Sequence, residues 1–440
     1  MKTFTFKRGI HPDDSKHTKD MRIETILPRK GSELVYPMLQ HIGAPCKPIV
    51  KEGEEVLLGQ KIADSEAYVS SPIHTTVSGV VKKIEPRVAP NGNRITSVVI
   101  ENDGEYTELE SLNKPKNPNI MTQGEILNEI RDAGIVGLGG AGFPTHVKLN
   151  PPKGRIIDYF IVNAAECEPY LTTDYRVLLE ETEKIIEGID IVKRLHPKAK
   201  TIIGIETNKL DAIEKLNEVI GDRHDIEVKA LKPKYPQGAE KQLIYACTGR
   251  VVPSGGLPAD IGVIVNNVDT IIAIHRAFKR GRPLMRKVVT LTGDAINRPG
   301  NFKIRLGTSL KEVVEDIGGY RGEVYQFIAG GPMMGLASYT TEIPLIKTSS
   351  AYIFMSEKSV TIPDERNCMR CGKCVDHCPA GLLPFDLNYY VEQTDMDSFV
   401  KYNGLDCIEC GSCSYICPSK RHLAQSIRFA RRKCLAKRKK

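Results

Sequence analysis

Cys368-Met-Arg-Cys371-Gly-Lys-Cys374-Val-Asp-His-Cys378-Pro379 and Cys407-Ile-Glu-Cys410-Gly-Ser-Cys413-Ser-Tyr-Ile-Cys417-Pro418 carry one spacing twice. Each reads Cys-x2-Cys-x2-Cys-x3-Cys-Pro, a run that ligates 4Fe–4S clusters through thiolates. Three closely spaced sulfurs serve one cubane, and the fourth serves the other cluster. One cluster therefore goes to Cys368, Cys371, Cys374 and Cys417. The second goes to Cys407, Cys410, Cys413 and Cys378. Gly372 and Gly411 stand at matching places, where backbone amides can approach sulfide with no Cβ in the way. A pair of zinc sites would share the Cys-x2-Cys step. It would need neither the third cysteine, nor the x3 spacing, nor the proline in both copies.

Around this stretch lie 440 residues, enough for about two to four domains with a buried core. A hydrophobic content of 41% is ordinary for a soluble globular chain. No run approaches the ~18 apolar residues of a membrane span. The opening MKTFTFKRGIHPDD lacks an apolar core region, so no secretory signal is expected. Eight of the twelve cysteines fall in the two runs, which argues for a reducing compartment rather than disulfides. Cys46, Cys167, Cys247 and Cys434 read as small buried or idle thiols. The net charge of +8 resides in residues 428–440, which hold four Arg, four Lys and no acid. Such a basic tail suits an anionic membrane surface, nucleic acid or a solvated, frayed end. Nucleic acid is disfavoured, because no aromatics interleave the bases and no basic body stands behind them.

Taken in order, the pattern predicts a multidomain α/β chain. Residues 1–33 are polar and irregular, and His11 and His17 read as surface histidines. Short β segments follow at Pro48–Val50, Val56–Leu58, Lys61–Ser65, Thr76–Ile84 and Thr96–Glu101, punctuated by glycines. Together they give an N-terminal β barrel-sandwich over 1–110. This stretch resembles a lipoyl or biotinyl carrier domain, but its tip near Ser65–Ser70 presents Tyr68 and no Lys. That implies a structural or docking role instead of a swinging arm. Residues 111–120 read as a linker. Over 120–285 helices and strands alternate, which predicts a mostly parallel sheet covered on both faces. Thr122 with Glu125 forms a capping-box pattern, and so does Ser309 with Glu312. A long helical region is expected from Asp174 to Leu195. Residues 286–346 suit a small α+β module that resembles the β-grasp type. Residues 360–427 suit a ferredoxin-like helical domain of four short helices around both clusters, ahead of the basic tail at 428–440.

Gly137, Gly139 and Gly142 match G-x-G-x-x-G, but they follow a helix, where a Rossmann fingerprint follows a strand. What remains is a backbone that can approach a phosphate with its amides, with Lys148 as an added point charge. GLGGAGFPTHVKL (137–149), NAAECEPYLTTDYRVL (163–178), YPQGAEKQLI (235–244) and NNVDT (266–270) resemble the NADH-oxidising flavoprotein subunit of respiratory complex I. With the carrier-like start, the β-grasp module and the eight cysteines, nearly the whole chain resembles the C subunit of the Rnf electron-transport complex.

The resemblance implies an FMN- and NAD-binding central domain. Gly137, Gly139, Gly140 and Lys148 would hold the flavin phosphate and ribityl, with Gly142 in the same loop. Asn163, Tyr235, Gly238, Asn266, Asn267 and Thr270 would line the flavin. Phe143 would stack near the nicotinamide or adenine, and Glu166, Glu168 and Glu240 would form an acidic wall. Leu138, Ala165 and Ala239 depart from the complex I pattern, which has Arg, Asp and Glu there. The resemblance further implies a peripheral subunit on the cytoplasmic side of the cell membrane. Its partners would be the integral and peripheral subunits of the same complex, NAD(H) as substrate, and ferredoxin indirectly. It would pass electrons between NAD, FMN and two 4Fe–4S clusters, with Na⁺ or H⁺ translocation elsewhere in the complex. Two other readings stay open at this point: an NADH-dependent cobalamin (corrinoid) reductase, and a non-enzymatic electron-wire scaffold.

Overall fold

Phe160-Ile-Val162, Ile202-Ile203 and Val263-Ile-Val265 are near-continuous apolar runs, as expected of strands buried on both faces. In the computed structural model, which describes residues 2–152 and 154–437, they lie in three neighbouring strands of a four-stranded parallel sheet. Its order is Ile226–Leu231, Lys200–Glu206, Tyr159–Ala164, Val263–Asn267. The chain enters at Tyr159–Ala164, builds outward on one side, then returns to add Val263–Asn267 on the other. That reversal opens a crevice at the carboxyl ends of Tyr159–Ala164 and Val263–Asn267, the usual ligand position in open α/β sheets. Asn163, Asn266 and Asn267 stand there.

The long helix expected over Asp174–Leu195 is two helices, Thr173–Glu180 and Thr182–Lys193. The break falls at Glu181, where φ is −130°. Glu181 is buried there and takes Arg276 at 3.0 Å and Lys303 at 3.3 Å. The Thr122–Glu125 capping box forms in full. The one expected at Ser309 does not. The helix Leu310–Asp316 starts there, but Glu312 accepts from the Arg29 backbone N–H at 2.7 Å instead. A distant segment thus competes successfully for the capping carboxylate.

Two antiparallel sheets make the N-terminal barrel-sandwich. Its carrier-like tip is pinned to the central domain. The Tyr68 carbonyl faces His146 Nε2 at 3.2 Å, and Asn150 donates to the Tyr68 hydroxyl at 3.2 Å. The third unit is a six-stranded sheet, ordered Ile23–Ile26, Gly300–Arg305, Arg286–Thr292, Ala351–Met355, Gln326–Ala329, Leu336–Ala337. Its first and fourth strands come from outside the stretch 286–346. The segment 1–33 is therefore not merely irregular. Ile23–Ile26 joins this sheet in parallel to Gly300–Arg305, and residues 4–18 strap the central domain. Phe4 bridges Leu231 and Ile10 bridges Tyr235. Lys16 is buried, with its Nζ on the carbonyls of Leu171 and Glu168.

Among the described residues, the cluster domain contains five α-helices rather than four: Lys373–Asp376, Pro384–Glu392, Met396–Lys401, Ser412–Ile416 and Leu423–Lys437. The last buries Ile427, Ala430 and Cys434 in the domain core. Residues 428–437 are thus a docked helix, while Arg438, Lys439 and Lys440 lie outside the described residues. Among the described residues no helix is long and apolar enough to cross a membrane.

One buried ion pair links the crevice to the six-stranded unit. Asp269, in the first turn of helix Val268–Arg280, binds Lys287 at the start of strand Arg286–Thr292. Both side chains are nearly inaccessible, at 6% and 3%. Asp269→Asn should strand a buried ammonium and lower unfolding stability by about 3–5 kcal/mol, read as an earlier denaturant midpoint. Lys287→Met with Asp269→Leu should recover much of the loss.

Candidate functional site: a flavin crevice facing two cysteine cages

The two cysteine runs fold alike. Arg370 and Glu409, one residue before the second cysteine of each run, both have positive φ, at 53° and 57°. Gly372 and Gly411 follow at 77° and 79°. Two left-handed residues flanking a cysteine curl each loop tightly. Cys378, Cys407, Cys410 and Cys413 line one apolar pocket together with Pro379, Leu382, Ile408 and Ile427. The fourth cysteine of the first run therefore serves the cage of the second. In the other run, burial raises the Cys374 thiol, and Cys417 lies near enough to add to that shift.

Burial, reinforced by the neighbouring thiols, pushes Cys407 up to about 12 and raises Cys410 and Cys413 as well. Apolar walls and convergent thiols fit a cluster, whose binding takes up thiolates and releases their protons. Backbone N–H groups already point at two of these sulfurs: Leu382 at Cys378 Sγ and Glu409 at Cys407 Sγ, each at 3.4 Å. No three His, Cys, Asp or Glu side chains among the described residues converge on a single-ion site. The cages differ in exposure: Cys368 and Cys371 are exposed, whereas Cys378 and Cys410 are buried.

The glycine loop lies between helix Gln123–Asp132 and the short helix Thr145–Lys148. Gly139 and Gly140 are exposed, and none of the described residues stands within 4 Å of where a Cβ of Gly140 would be. A Cβ on Gly139 would meet the Asn267 side chain at 2.5 Å. Leu138 N–H donates to Thr270 Oγ1 at 3.0 Å, and Gly137 N–H to the Phe143 carbonyl at 2.9 Å. Phe143 is half-buried. The loop thus rests on the start of helix Val268–Arg280, capped by Asn267. Asn266 Nδ2 is buried without a partner among the described residues. So are both amide atoms of Gln237, a residue the sequence did not single out although it lies between Tyr235 and Gly238. Open glycines and orphaned amides at one crevice fit a polar planar ligand such as FMN.

The acidic residues divide. Glu166 is buried and turned away to the start of helix Thr173–Glu180, accepting from Asp174 N–H at 2.9 Å and Thr173 Oγ1 at 3.1 Å. Glu168 reaches the third unit, accepting from the Met333 and Met334 N–H groups at 2.8 Å each. Burial raises its pKa against those donors. A Cβ on Gly331 would fall 1.9 Å from Glu168 Cγ, so only glycine fits. Lys148 and Glu240 pair at 2.8 Å, and Lys148 also donates to the Val265 carbonyl at 3.1 Å. Asn163 Nδ2 donates to the Gly238 carbonyl at 2.8 Å, and Gly238 N–H donates to Cys167 Sγ at 3.2 Å. Tyr235 is buried and donates to the Cys410 carbonyl at 2.7 Å. It joins Ile10, Met333, Ile408 and Ile416 in one apolar knot. Crevice and inner cysteine cage are therefore neighbours.

Comparison with known proteins follows the same division. Residues 4–105 match the RnfC barrel sandwich hybrid domain and residues 130–276 the Nuo51 FMN-binding domain. Residues 288–337 match the SLBB domain and residues 367–421 the 4Fe-4S dicluster domain. The chain is 44% identical over 436 residues to the C subunit of the Na(+)-translocating ferredoxin:NAD(+) oxidoreductase complex of Acetobacterium woodii, covering 99% of this chain and 98% of that one. It is 44% identical over 428 residues to the proton-translocating counterpart of Clostridium ljungdahlii, covering 97% and 93%. The C subunit of an ion-translocating oxidoreductase complex of Rhodobacter capsulatus is 36% identical, covering 98% and 84%.

The shared cage has a direct test. Cys378→Ser and Cys407→Ser should each cost the same cluster, about four irons per chain. Cys417→Ser should cost the other. Iron and sulfide analysis with electron paramagnetic resonance of the dithionite-reduced protein distinguishes the two.

Proposed function

The chain belongs to the family of C subunits of ion-translocating ferredoxin:NAD(+) oxidoreductase complexes, and on that premise we propose that it exchanges electrons between NAD(H) and its membrane-bound partner subunits. It carries an FMN-binding domain and a two-cluster 4Fe–4S domain. A flavin accepts hydride in pairs and gives up electrons singly, whereas an iron–sulfur cluster takes one at a time. The residues of this chain provide order and alignment. The glycine loop and Asn163, Asn266, Asn267 and Thr270 would hold the flavin. Phe143 and Glu240 would face the nucleotide. No protein acid or base need act on the hydride; the crevice has to align donor and acceptor.

The observation that carries this proposal is the Tyr235 hydroxyl on the Cys410 carbonyl. It supports an inner station at Cys378, Cys407, Cys410 and Cys413, adjacent to the crevice. The cage of Cys368, Cys371, Cys374 and Cys417, with its exposed cysteines, is then the outer station, facing a partner protein of the complex. Ferredoxin would exchange electrons with this chain through that partner, and Na⁺ or H⁺ coupling would lie in the integral subunits. The outer face of helix Leu423–Lys437 presents Phe429, Arg432, Lys433 and Lys437 to solvent, which supports a peripheral seat on the anionic cytoplasmic leaflet.

Anaerobically reconstituted protein should contain about eight irons and one FMN per chain, on the two-cluster pattern. NADH should bleach its flavin absorbance. Absence of bleaching with FMN bound would favour the scaffold reading, and corrinoid reduction without membrane partners would favour the cobalamin reductase. Tyr235→Phe should leave flavin bleaching by NADH unchanged while slowing cluster reduction about fivefold, the size expected for a lost buried hydrogen bond. Stopped-flow absorbance separates the two phases.

A further inference from the structure

The connection Ile346–Ser349 runs from the third unit to strand Ala351–Met355 and touches both ends of the glycine loop. At the start of the loop, Lys347 is 1% exposed. Its Nζ donates to the Pro72 carbonyl at 2.6 Å, the Gly134 carbonyl at 2.7 Å and Ser71 Oγ at 3.3 Å. Its backbone N–H donates to Gln40 Oε1 at 3.2 Å. At the far end, a Cβ on Gly142 would meet Thr348 Cγ2 at 2.6 Å and the Gln40 carbonyl at 3.3 Å. Ile42 N–H donates to the Gly142 carbonyl at 3.3 Å. The loop is therefore gripped at both ends by the same two partners, the barrel and the connection, while Gly139 and Gly140 stay open between them.

Among the described residues, Lys347 has no carboxylate of its own. The nearest acid, Asp64, is taken by Lys61 at 2.9 Å and Arg131 at 3.0 Å. His41, His74 and Cys46 complete its surroundings. Burial brings the Lys347 ammonium down to about 7, and burial beside this cation lowers His41 to about 4 and His74 to about 3. A cation held only by neutral oxygens is an expensive way to fill a core. An apolar side chain of the same length would fill the volume without that cost. What the ammonium adds is a fixed spacing between Pro72, Gly134 and its own connection.

We propose that Lys347 is a positioning residue for flavin phosphate: it sets the start of the glycine loop, so that the amides of Gly139 and Gly140, beyond the bonded N–H groups of Gly137 and Leu138, are held ready for the anion. This rests on reading that loop as the phosphate cradle, and it adds a device outside the flavin domain. A residue that positions only the cradle affects ligands that carry phosphate and spares those that do not.

The test compares FMN with riboflavin on the full, cluster-loaded, flavin-stripped chain, by fluorescence quenching. Wild type should bind FMN well above riboflavin. Lys347→Met, close to isosteric, should lower FMN affinity roughly tenfold, as loss of charged hydrogen bonds predicts. Riboflavin affinity and iron content should stay at wild-type values. Equal losses for both flavins, or no loss for either, would overturn the proposal. A wild type that binds the two alike overturns the cradle reading, and the proposal with it. If Lys347→Met does not fold, Gln40→Ala removes the partner of the Lys347 N–H without stranding a charge. It should give a smaller loss confined to FMN, and an unchanged preference would again overturn the proposal.

Discussion

A two-electron site is useful to a one-electron chain only if the two are held in register, because electron transfer weakens steeply with separation. In this protein that constraint falls on a single knot of side chains. Tyr235, at the rim of the parallel sheet, holds the Cys410 carbonyl, and Ile10 and Met333 close over them. Each comes from a different part of the chain. Ile10 belongs to the N-terminal strap, Met333 to the six-stranded unit and Cys410 to the cluster domain. Gly9 N–H adds a bond to the His377 carbonyl at 3.2 Å, one residue before Cys378. Glu168 then fixes Met333 through two backbone donors. If any one of these contacts slipped, crevice and inner cage would move apart.

The same constraint explains where the charges went. Three glutamates beside a flavin crevice look like a wall for a nucleotide. Only Glu240 stays near the mouth, half-exposed and paired with Lys148. Glu166 is spent on a helix start and sits 3.8 Å from buried Lys16. Glu168 is spent on a loop of another unit. Carboxylates are well suited to this because one oxygen can accept two backbone donors at once, and such charge-assisted bonds are the strong ones. Glu166 and Glu168 therefore hold elements together around the site rather than face into it.

What was legible in the sequence was local. The cysteine spacing raised the expectation that Cys378 joins the second run, and the pocket that Cys378 shares with Cys407, Cys410 and Cys413 agrees with it. The apolar runs around Phe160, Ile202 and Ile264 gave a parallel sheet, and Thr122 with Glu125 gave a helix start. What was hidden was long-range. Nothing in IETI announces that Ile23–Ile26 will lie beside Gly300–Arg305, nearly three hundred residues away. Glu312 reads as a cap until Arg29 arrives to take it. Nothing around Lys347 in the sequence marks it for burial, and only the meeting of three units buries it. Gln237 is hidden for another reason: an amide gives no sign in sequence that its partners will be missing.

The two cages also show how one motif yields two different sites. Their ligand runs are alike in spacing, in the left-handed pair at Arg370 and Gly372 or Glu409 and Gly411, and in the helix that follows. The rest of the molecule breaks the likeness. Around Cys407–Cys413 the flavin domain, the strap and helix Leu423–Lys437 exclude water; the described residues leave Cys368 and Cys371 open to it. Burial and hydrogen bonds to sulfur are among the levers that set a cluster's potential. Equal ligand spacing thus meets unequal surroundings, and the difference between the two sites comes from tertiary contacts alone.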